Sequence, residues 1–307
     1  IFEDKILTWS EFNHLSNRYA HCLKRRGVKR GDCVAVFMEN RMEFLCLVIA
    51  LSKIGAAASL INTSLVKKSL IHCISITDSV RCVFGEELQN AIIEIKDDLP
   101  LQDSDFLWVP DDPIKNNKPS WAEDLNSTLP QQPTENLEET RDIRGGEIAL
   151  YIFTSGTTGL PKPAIIYQRR IMSAHPPYSK LGFRATASDR MYICLPLYHI
   201  TGLLLGACTC FYTGSSMFLR RRFSAQHFWP EVQKYNTTLF IYVGELCRYL
   251  TVQEKCSDEK NNPIRSMLGN GLRPDIWDHF RNRFGVKRIT EIYGASESNV
   301  SFLNFLN

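Results

Sequence analysis

Apolar and polar positions along the first hundred residues switch between two periods. In "TWSEFNHLSNRYAHCLKRRG" Phe12, Leu15, Tyr19 and Cys22 fall on one helical face. Thr8 and Glu11 have the spacing of a capping box, and Gly27 suits the C-terminal stop. The run "CVAVFM" (33–38) is apolar throughout, the signature of a strand buried on both faces. A helix over 41–53, a strand over 56–61, a helix over 65–76 and a strand over 80–84 follow. The longest apolar stretch, 44–61, is interrupted by Lys53 and Gly55. A membrane span needs roughly 20 apolar residues, so a buried helix followed by a strand is expected there. Alternation of this kind predicts a parallel sheet with crossover helices.

Residues 97–147 break the rhythm with Asp, Glu, Asn and Pro, as in "PDDPIKNNKPS" and "LPQQPT". A partly ordered surface excursion is expected, with a short strand at "FLWV" (106–109). The alternation then resumes. Strands are expected at 191–195, 216–219, 238–243 and 287–294, with a helix near 200–213. Ser224 can cap the helix "AQHFWPEVQKY", in which Pro230 predicts a kink or an early break. Pro274 and Gly285 bracket a further helix. Three segments result: a first α/β subdomain (1–96), the acidic excursion (97–147) and a second α/β subdomain (148–307).

Net charge is +3, unevenly spread. The excursion holds 13 acidic and 4 basic side chains, which leaves 20 acidic against 32 basic elsewhere. Basic clusters at 24–30, 220–222 and 281–288 suit anionic partners, but no aromatic-interleaved stripe points to nucleic acid. The 10 cysteines lack C-x-x-C or metal-ligand spacing and read as reduced thiols. Sequons at Asn62, Asn126, Asn236 and Asn299 carry weight only in a secreted chain, and no signal peptide opens this one. The start without Met and the close on "SFLNFLN" suggest a fragment.

The chemistry concentrates in "YIFTSGTTGLPKPAII" (151–166). Walker A spacing is absent, and prolines on both sides of Lys162 disfavour the helix that such a loop requires. The flanking "ALYIF" and "AIIY" are strand-like, so the loop should join two strands. Its composition is still that of a phosphate binder. Gly156 and Gly159 permit close backbone approach to an anion. Thr154, Ser155, Thr157 and Thr158 offer hydroxyls, and Lys162 adds a point charge.

This motif resembles the AMP-binding motif of the adenylate-forming enzymes. "LPLYH" (195–199), "GNGLR" (269–273) and "YGASE" (293–297) follow in the family's order. "RGDCVAVFMEN" (30–40), "FSAQHFW" (223–229), "IYVGELCRYL" (241–250) and "LGNGLRPDIW" (268–277) are similar to the fatty acid transport protein branch, the very-long-chain acyl-CoA synthetases. The resemblance implies an α/β fold, the large N-terminal lobe of an adenylate-forming ligase, with paired sheets, flanking helices and no C-terminal domain. It implies ATP, Mg²⁺ and coenzyme A as cofactors or co-substrates, and a fatty acid as substrate. Residues 154–159, Lys162 and Ser296 would meet the phosphates. Gly269, Asn270, Gly271, Tyr293 and Gly294 would bind adenine, Glu297 would hold the metal, and His199 would sit beside the reacting carboxylate. Catalytic roles fall to His199 and Lys162.

The family commonly has Thr where Ser296 stands; Pro163 and Ile200 are further departures. The expected function is activation of long or very long fatty acids to acyl-CoA, coupled to uptake. Membrane association is expected, with the lobe facing the cytoplasm at the endoplasmic reticulum, plasma membrane or peroxisome. The 307 residues alone are expected to be weakly active or inactive. A non-catalytic lipid or membrane docking module with this fold, and a CoA ligase for another carboxylate such as a bile acid, are the alternatives.

Overall fold

The computed structural model describes residues 1–111, 117–154, 159–259, 261–298 and 300–304. The chain divides into two compact units, Ile6–Arg170 and Ile171–Asn307 together with Ile1–Lys5. The division after Arg170 differs from the expected boundary at 147–148, because the hairpin over 148–167 completes the first sheet.

The first unit opens with α1 (Trp9–Arg25). Its capping box is formed: Thr8 Oγ1 accepts from the Glu11 N–H at 3.2 Å, and the Thr8 N–H donates to Glu11 Oε2 at 2.7 Å. Then come β1 (Cys33–Phe37), α2 (Met42–Ile54), β2 (Ala57–Leu60), α3 (Lys67–Ser75), β3 (Arg81–Gly85) and α4 (Gln89–Ile93). β4 (Phe106–Val109), β5 (Glu123–Asp124), β6 (Ile148–Thr154) and β7 (Lys162–Tyr167) complete it. Among the described residues the sheet runs β5-β4-β3-β1-β2-β6-β7, parallel except for the β6–β7 pair. Central β1 is wholly buried, as its unbroken apolar run requires. The 44–61 stretch is a buried helix and strand, and no helix among the described residues is long and apolar enough to cross a membrane.

The acidic segment is more integrated than its composition suggests. β4 is buried and pairs with β3. Ala122, Leu125, Leu129 and Leu137 are buried, and Trp121 stacks on Phe84 at 5.8 Å. Asn17 donates to the Thr134 carbonyl at 2.6 Å, and the Tyr19 hydroxyl donates to Asn126 Oδ1 at 2.8 Å. These apolar anchors are interleaved with prolines such as Pro119, Pro130 and Pro133 and with charges, which mask them in the sequence.

In the second unit, α5 (Gln168–Pro176) straddles the division. β8 (Arg190–Ile193), α6 (Cys208–Thr213), β9 (Ser216–Leu219), α7 (Ala225–Tyr235), β10 (Leu239–Val243) and α8 (Gly244–Thr251) follow. β11 (Ser266–Asn270), α9 (Pro274–Phe284), β12 (Arg288–Tyr293) and β13 (Phe302–Asn304) close it. Its sheet runs β13-β12-β11-β10-β8-β9 among the described residues, with only the β12–β13 pair antiparallel. Wide π-helical turns at Pro177–Phe183 and Thr201–Ala207 extend α5 and lead into α6. The Leu219 N–H donates to the Ile1 carbonyl at 2.9 Å, which draws Ile1–Lys5 to the β9 edge.

α7 runs through Pro230 without the break that the sequence predicts. The proline ring faces solvent, while Phe228, Trp229 and Val232 on the opposite side are buried. Burying three large apolar side chains, each worth roughly 1.5–3 kcal/mol, outweighs a proline penalty of about 3 kcal/mol.

Candidate functional site

In the first unit the signature loop joins β6 and β7, two antiparallel strands whose pairing ends at Thr154 opposite Lys162. Ser155, Gly156, Thr157 and Thr158 lie outside the described residues. Thr154 therefore closes one strand and Lys162 opens the next, and Gly159, Leu160 and Lys162 are exposed. A Cβ on Gly159 would meet nothing within 4 Å, so packing does not require this glycine. The loop's exit is fixed by His72 of α3, whose Nε2 lies 3.0 Å from the Pro161 carbonyl and donates to it in the tautomer that carries the proton there. The sequence gives no sign of this contact, because His72 lies 89 residues earlier.

In the second unit most of the remaining candidates gather at the C-terminal ends of β11 and β12, and His199 follows β8. In open α/β sheets ligands bind beyond such strand ends. Gly269 and Asn270 end β11, and Gly271 follows with φ +78°, a conformation that favours glycine. Tyr293 ends β12 with 78% of its surface exposed, and Gly294 is exposed beside it. Ser296 is buried, whereas Glu297 is exposed. These residues thus form two neighbouring turns on one sheet edge.

The same strand carries a residue that motif reading passes over. Glu291 takes a hydrogen bond from the Gly271 N–H at 3.0 Å, from the Leu272 N–H at 3.1 Å and from the Tyr242 hydroxyl at 2.5 Å. Its one sequence signal is a charge inside the otherwise strand-like "RITEIY".

His199 follows β8. Its Nδ1 lies 3.4 Å from the Thr201 N–H and 3.3 Å from the Thr201 hydroxyl. An N–H pointed at Nδ1 makes that nitrogen the acceptor and leaves the ring proton on Nε2. Although the residue is exposed, surrounding protein desolvates the ring and lowers its pKa from the ordinary value, favouring neutral imidazole at neutral pH. The turn after it requires Gly202, since a Cβ there would stand 2.3 Å from the Pro196 carbonyl.

The amino-acid sequence matches the family described as AMP-binding enzyme over residues 1–307. The chain belongs to the AMP-binding enzymes. It is 39% identical over 307 residues to long-chain fatty acid transport protein 6 of Mus musculus, an alignment that covers 99% of this chain and 48% of the relative. It is 35% identical over 306 residues to the medium/long-chain-fatty-acid–CoA ligase FadD6 of Mycobacterium tuberculosis, covering 100% of this chain and 49% of the ligase. The chain spans about half the length of these curated relatives. The solved anthranilate CoA ligase AuaEII, in complex with anthranoyl-AMP, superposes with a TM-score of 0.90 at 19% identity, covering 99% of this chain and 58% of that one. The N-terminal domain of FACL13 from Mycobacterium tuberculosis superposes with a TM-score of 0.81 at 20% identity, covering 96% and 71%. The two mixed sheets with flanking helices have the fold of the N-terminal lobe of adenylate-forming ligases.

For an AMP-binding enzyme the metal donors fit a particular arrangement. Among the described residues no group of three or more His, Cys, Asp or Glu side chains could cage an ion. Glu297 is a single exposed carboxylate. Mg²⁺ commonly binds through one or two carboxylates plus substrate phosphates, and that donor set suits Glu297.

Proposed function

We propose that this chain is the nucleotide- and acyl-binding lobe of a ligase that converts long or very long chain fatty acids to acyl-CoA through an acyl-adenylate. The observation that carries this reading is the 39% identity to a long-chain fatty acid transport protein across 99% of the chain. The likeness to a medium/long-chain fatty acid ligase supports the same chemistry. In the first step a carboxylate oxygen attacks the α-phosphorus of ATP, and the bond to pyrophosphate breaks. The thiol of coenzyme A then attacks the acyl carbonyl, and AMP leaves.

Neither step needs a covalent bond to the protein, so positioning and charge neutralisation carry the rate. In the first unit Thr154, Lys162 and the loop between them would bind phosphate oxygens. In the second, Gly269–Asn270–Gly271 would offer a flat backbone to adenine, and Tyr293 with Gly294 would cover the ring. Ser296 would donate its hydroxyl to the α-phosphate. His199, protonated on Nε2, would donate a hydrogen bond to the acyl carboxylate and orient it. Mg²⁺ held at Glu297 would neutralise phosphate charge. The names of the transport-protein relatives support coupling to fatty acid uptake at a membrane.

Calorimetry of Mg·ATP binding by the purified chain, beside Lys162→Ala and Glu297→Gln, tests the reading. Saturable binding, weakened about tenfold or more by each change, is expected, because each removes a charge-assisted contact. Pyrophosphate release should be faster with a long-chain fatty acid than with benzoate or a bile acid. A folded chain that binds no nucleotide would sink the proposal.

A further inference from the structure

We propose that Glu291 is a positioning residue for nucleobase recognition: its carboxylate, with Gly244 behind it, fixes the loop Gly269–Leu272 that faces adenine. This rests on the nucleotide reading given above.

The loop follows β11 and has no regular structure of its own to hold it after Asn270. Glu291, on neighbouring β12, supplies what is missing. Its carboxylate accepts from two consecutive N–H groups, Gly271 at 3.0 Å and Leu272 at 3.1 Å. An ionised carboxylate accepts only, with roughly four lone-pair directions, so two amides and one hydroxyl can be satisfied together. That hydroxyl belongs to Tyr242, buried in β10. Burial pushes the Tyr242 pKa well above its ordinary value, and the Glu291 charge adds to this, so the phenol remains a donor. Three adjacent strands are thereby tied to one side chain.

From the other side the loop is held by shape. A Cβ on Gly244 would lie 1.7 Å from the Gly271 carbonyl oxygen, and one on Gly269 would lie 2.1 Å from the Tyr242 carbonyl oxygen. The backbones leaving β10 and β11 therefore touch directly. A loop bounded by main chain on one face and bonded to a carboxylate on the other has little freedom to shift. A flat base stacked on it gains from that fixed geometry, whereas a phosphate chain does not depend on it.

The test compares the wild-type chain with Glu291→Ala, Glu291→Gln and Tyr242→Phe. Readouts are affinity for AMP, affinity for Mg·tripolyphosphate, and amide hydrogen exchange at Gly271 and Leu272. In Glu291→Ala those two amides should lose protection and AMP affinity should fall about tenfold, with tripolyphosphate binding unchanged. Glu291→Gln keeps one acceptor oxygen and should recover part of both effects. Tyr242→Phe should give the smallest loss. If Glu291→Ala does not fold, the Gln and Phe variants still decide the matter through exchange at Gly271 and Leu272. Equal AMP affinity in wild type and the Glu291 variants, or parallel losses of AMP and tripolyphosphate, would overturn the assignment to Glu291 alone. A folded wild type that binds neither ligand would overturn the nucleotide reading and this inference with it.

Discussion

The two ends of the six-stranded sheet use similar residue types for opposite purposes. Where the strands begin, the charged groups are satisfied, although the buried hydroxyls of Thr237 and Ser266 have no hydrogen-bond partner among the described residues. Asp189 accepts from Arg265 Nε at 2.8 Å, from the Thr238 hydroxyl at 2.7 Å, and from the Thr186 N–H and hydroxyl at 2.8 and 2.9 Å. Arg288 donates to the carbonyls of Gly182 at 2.9 Å and Leu181 at 2.6 Å. Where β10, β11 and β12 end, one carboxylate is engaged in the same way, but it organises a loop instead of joining a charge pair. Beyond it Asn270, Tyr293 and Glu297 project into water. Saturated charged groups such as Asp189 mark the end that holds the fold; exposed ones, set on strand ends, mark the end proposed to take a ligand.

The sharpest way to break this contrast is to exchange the two kinds of damage. Asp189→Ala leaves Arg265 and Thr238 without their shared acceptor, and its side chain is only 4% exposed. A stability loss of about 2–3 kcal/mol is expected from the hydrogen bonds to the carboxylate that are lost, since Arg265, 40% exposed, can be hydrated in the variant. Denaturant unfolding measures this loss, and Mg·ATP affinity of the folded fraction should stay within about twofold of wild type. A large affinity loss with little destabilisation would reverse the assignment of the two ends.

Gly244→Ala comes next. Its new methyl group meets the Gly271 main chain, which cannot rotate away as a side chain would. Overpacking of this kind costs roughly 1–3 kcal/mol. Unlike the Asp189 change, it should also weaken ATP binding, because the displaced atoms belong to the loop proposed to face adenine. Measuring melting temperature and affinity on one sample separates the two effects.

Acid should expose the saturated end by itself. Burial raises the Asp189 pKa, but hydrogen bonds from Arg265, Thr238 and Thr186 outweigh it and hold the group at about 2. The unfolded chain, with an ordinary carboxyl near about 3.9, takes up its proton first as pH falls. The stabilisation is therefore complete above about pH 4 and is lost as pH drops towards about 2. Unfolding free energies at several acid pH values should show a slope that Asp189→Asn reduces. An unchanged slope would remove Asp189 from the account.

These polar networks differ in how far the sequence reveals them. Helix α1, with Thr8 and Glu11 at its cap, and the apolar run of β1 were legible because local spacing dictates them. The four motifs were legible because each is a short contiguous string. Strand β4 and the residues around it were legible only at "FLWV". Their anchoring depends on contacts such as Asn17 with Thr134, 117 residues apart. Glu291 escaped notice for the same reason: its partners Tyr242, Gly271 and Leu272 lie 49, 20 and 19 residues away. Pro230 misled because propensity weighs one residue, whereas the helix responds to three buried neighbours. Local chemistry is written in order along the chain; support across strands is not.

Tyr293 offers the smallest effect on the fold and the cleanest test of the exposed end. Its ring is 78% exposed and lies 6.5 Å from the ring of Phe302, itself 70% exposed. A side chain so placed buries little surface, so Tyr293→Ala should change stability by no more than about 0.5 kcal/mol. If the ring covers adenine, the same change should weaken AMP about tenfold while leaving Mg·tripolyphosphate binding alone, since aromatic stacking acts on the base. Tyr293→Phe retains the stacking face and should bind AMP almost as wild type does. Weak binding by Phe as well as Ala would show that the hydroxyl, not the ring, makes the contact. Unaltered binding by Ala would mean that this exposed ring serves something other than the nucleotide, and the equation of exposed strand ends with the adenine site would fail at its most accessible residue.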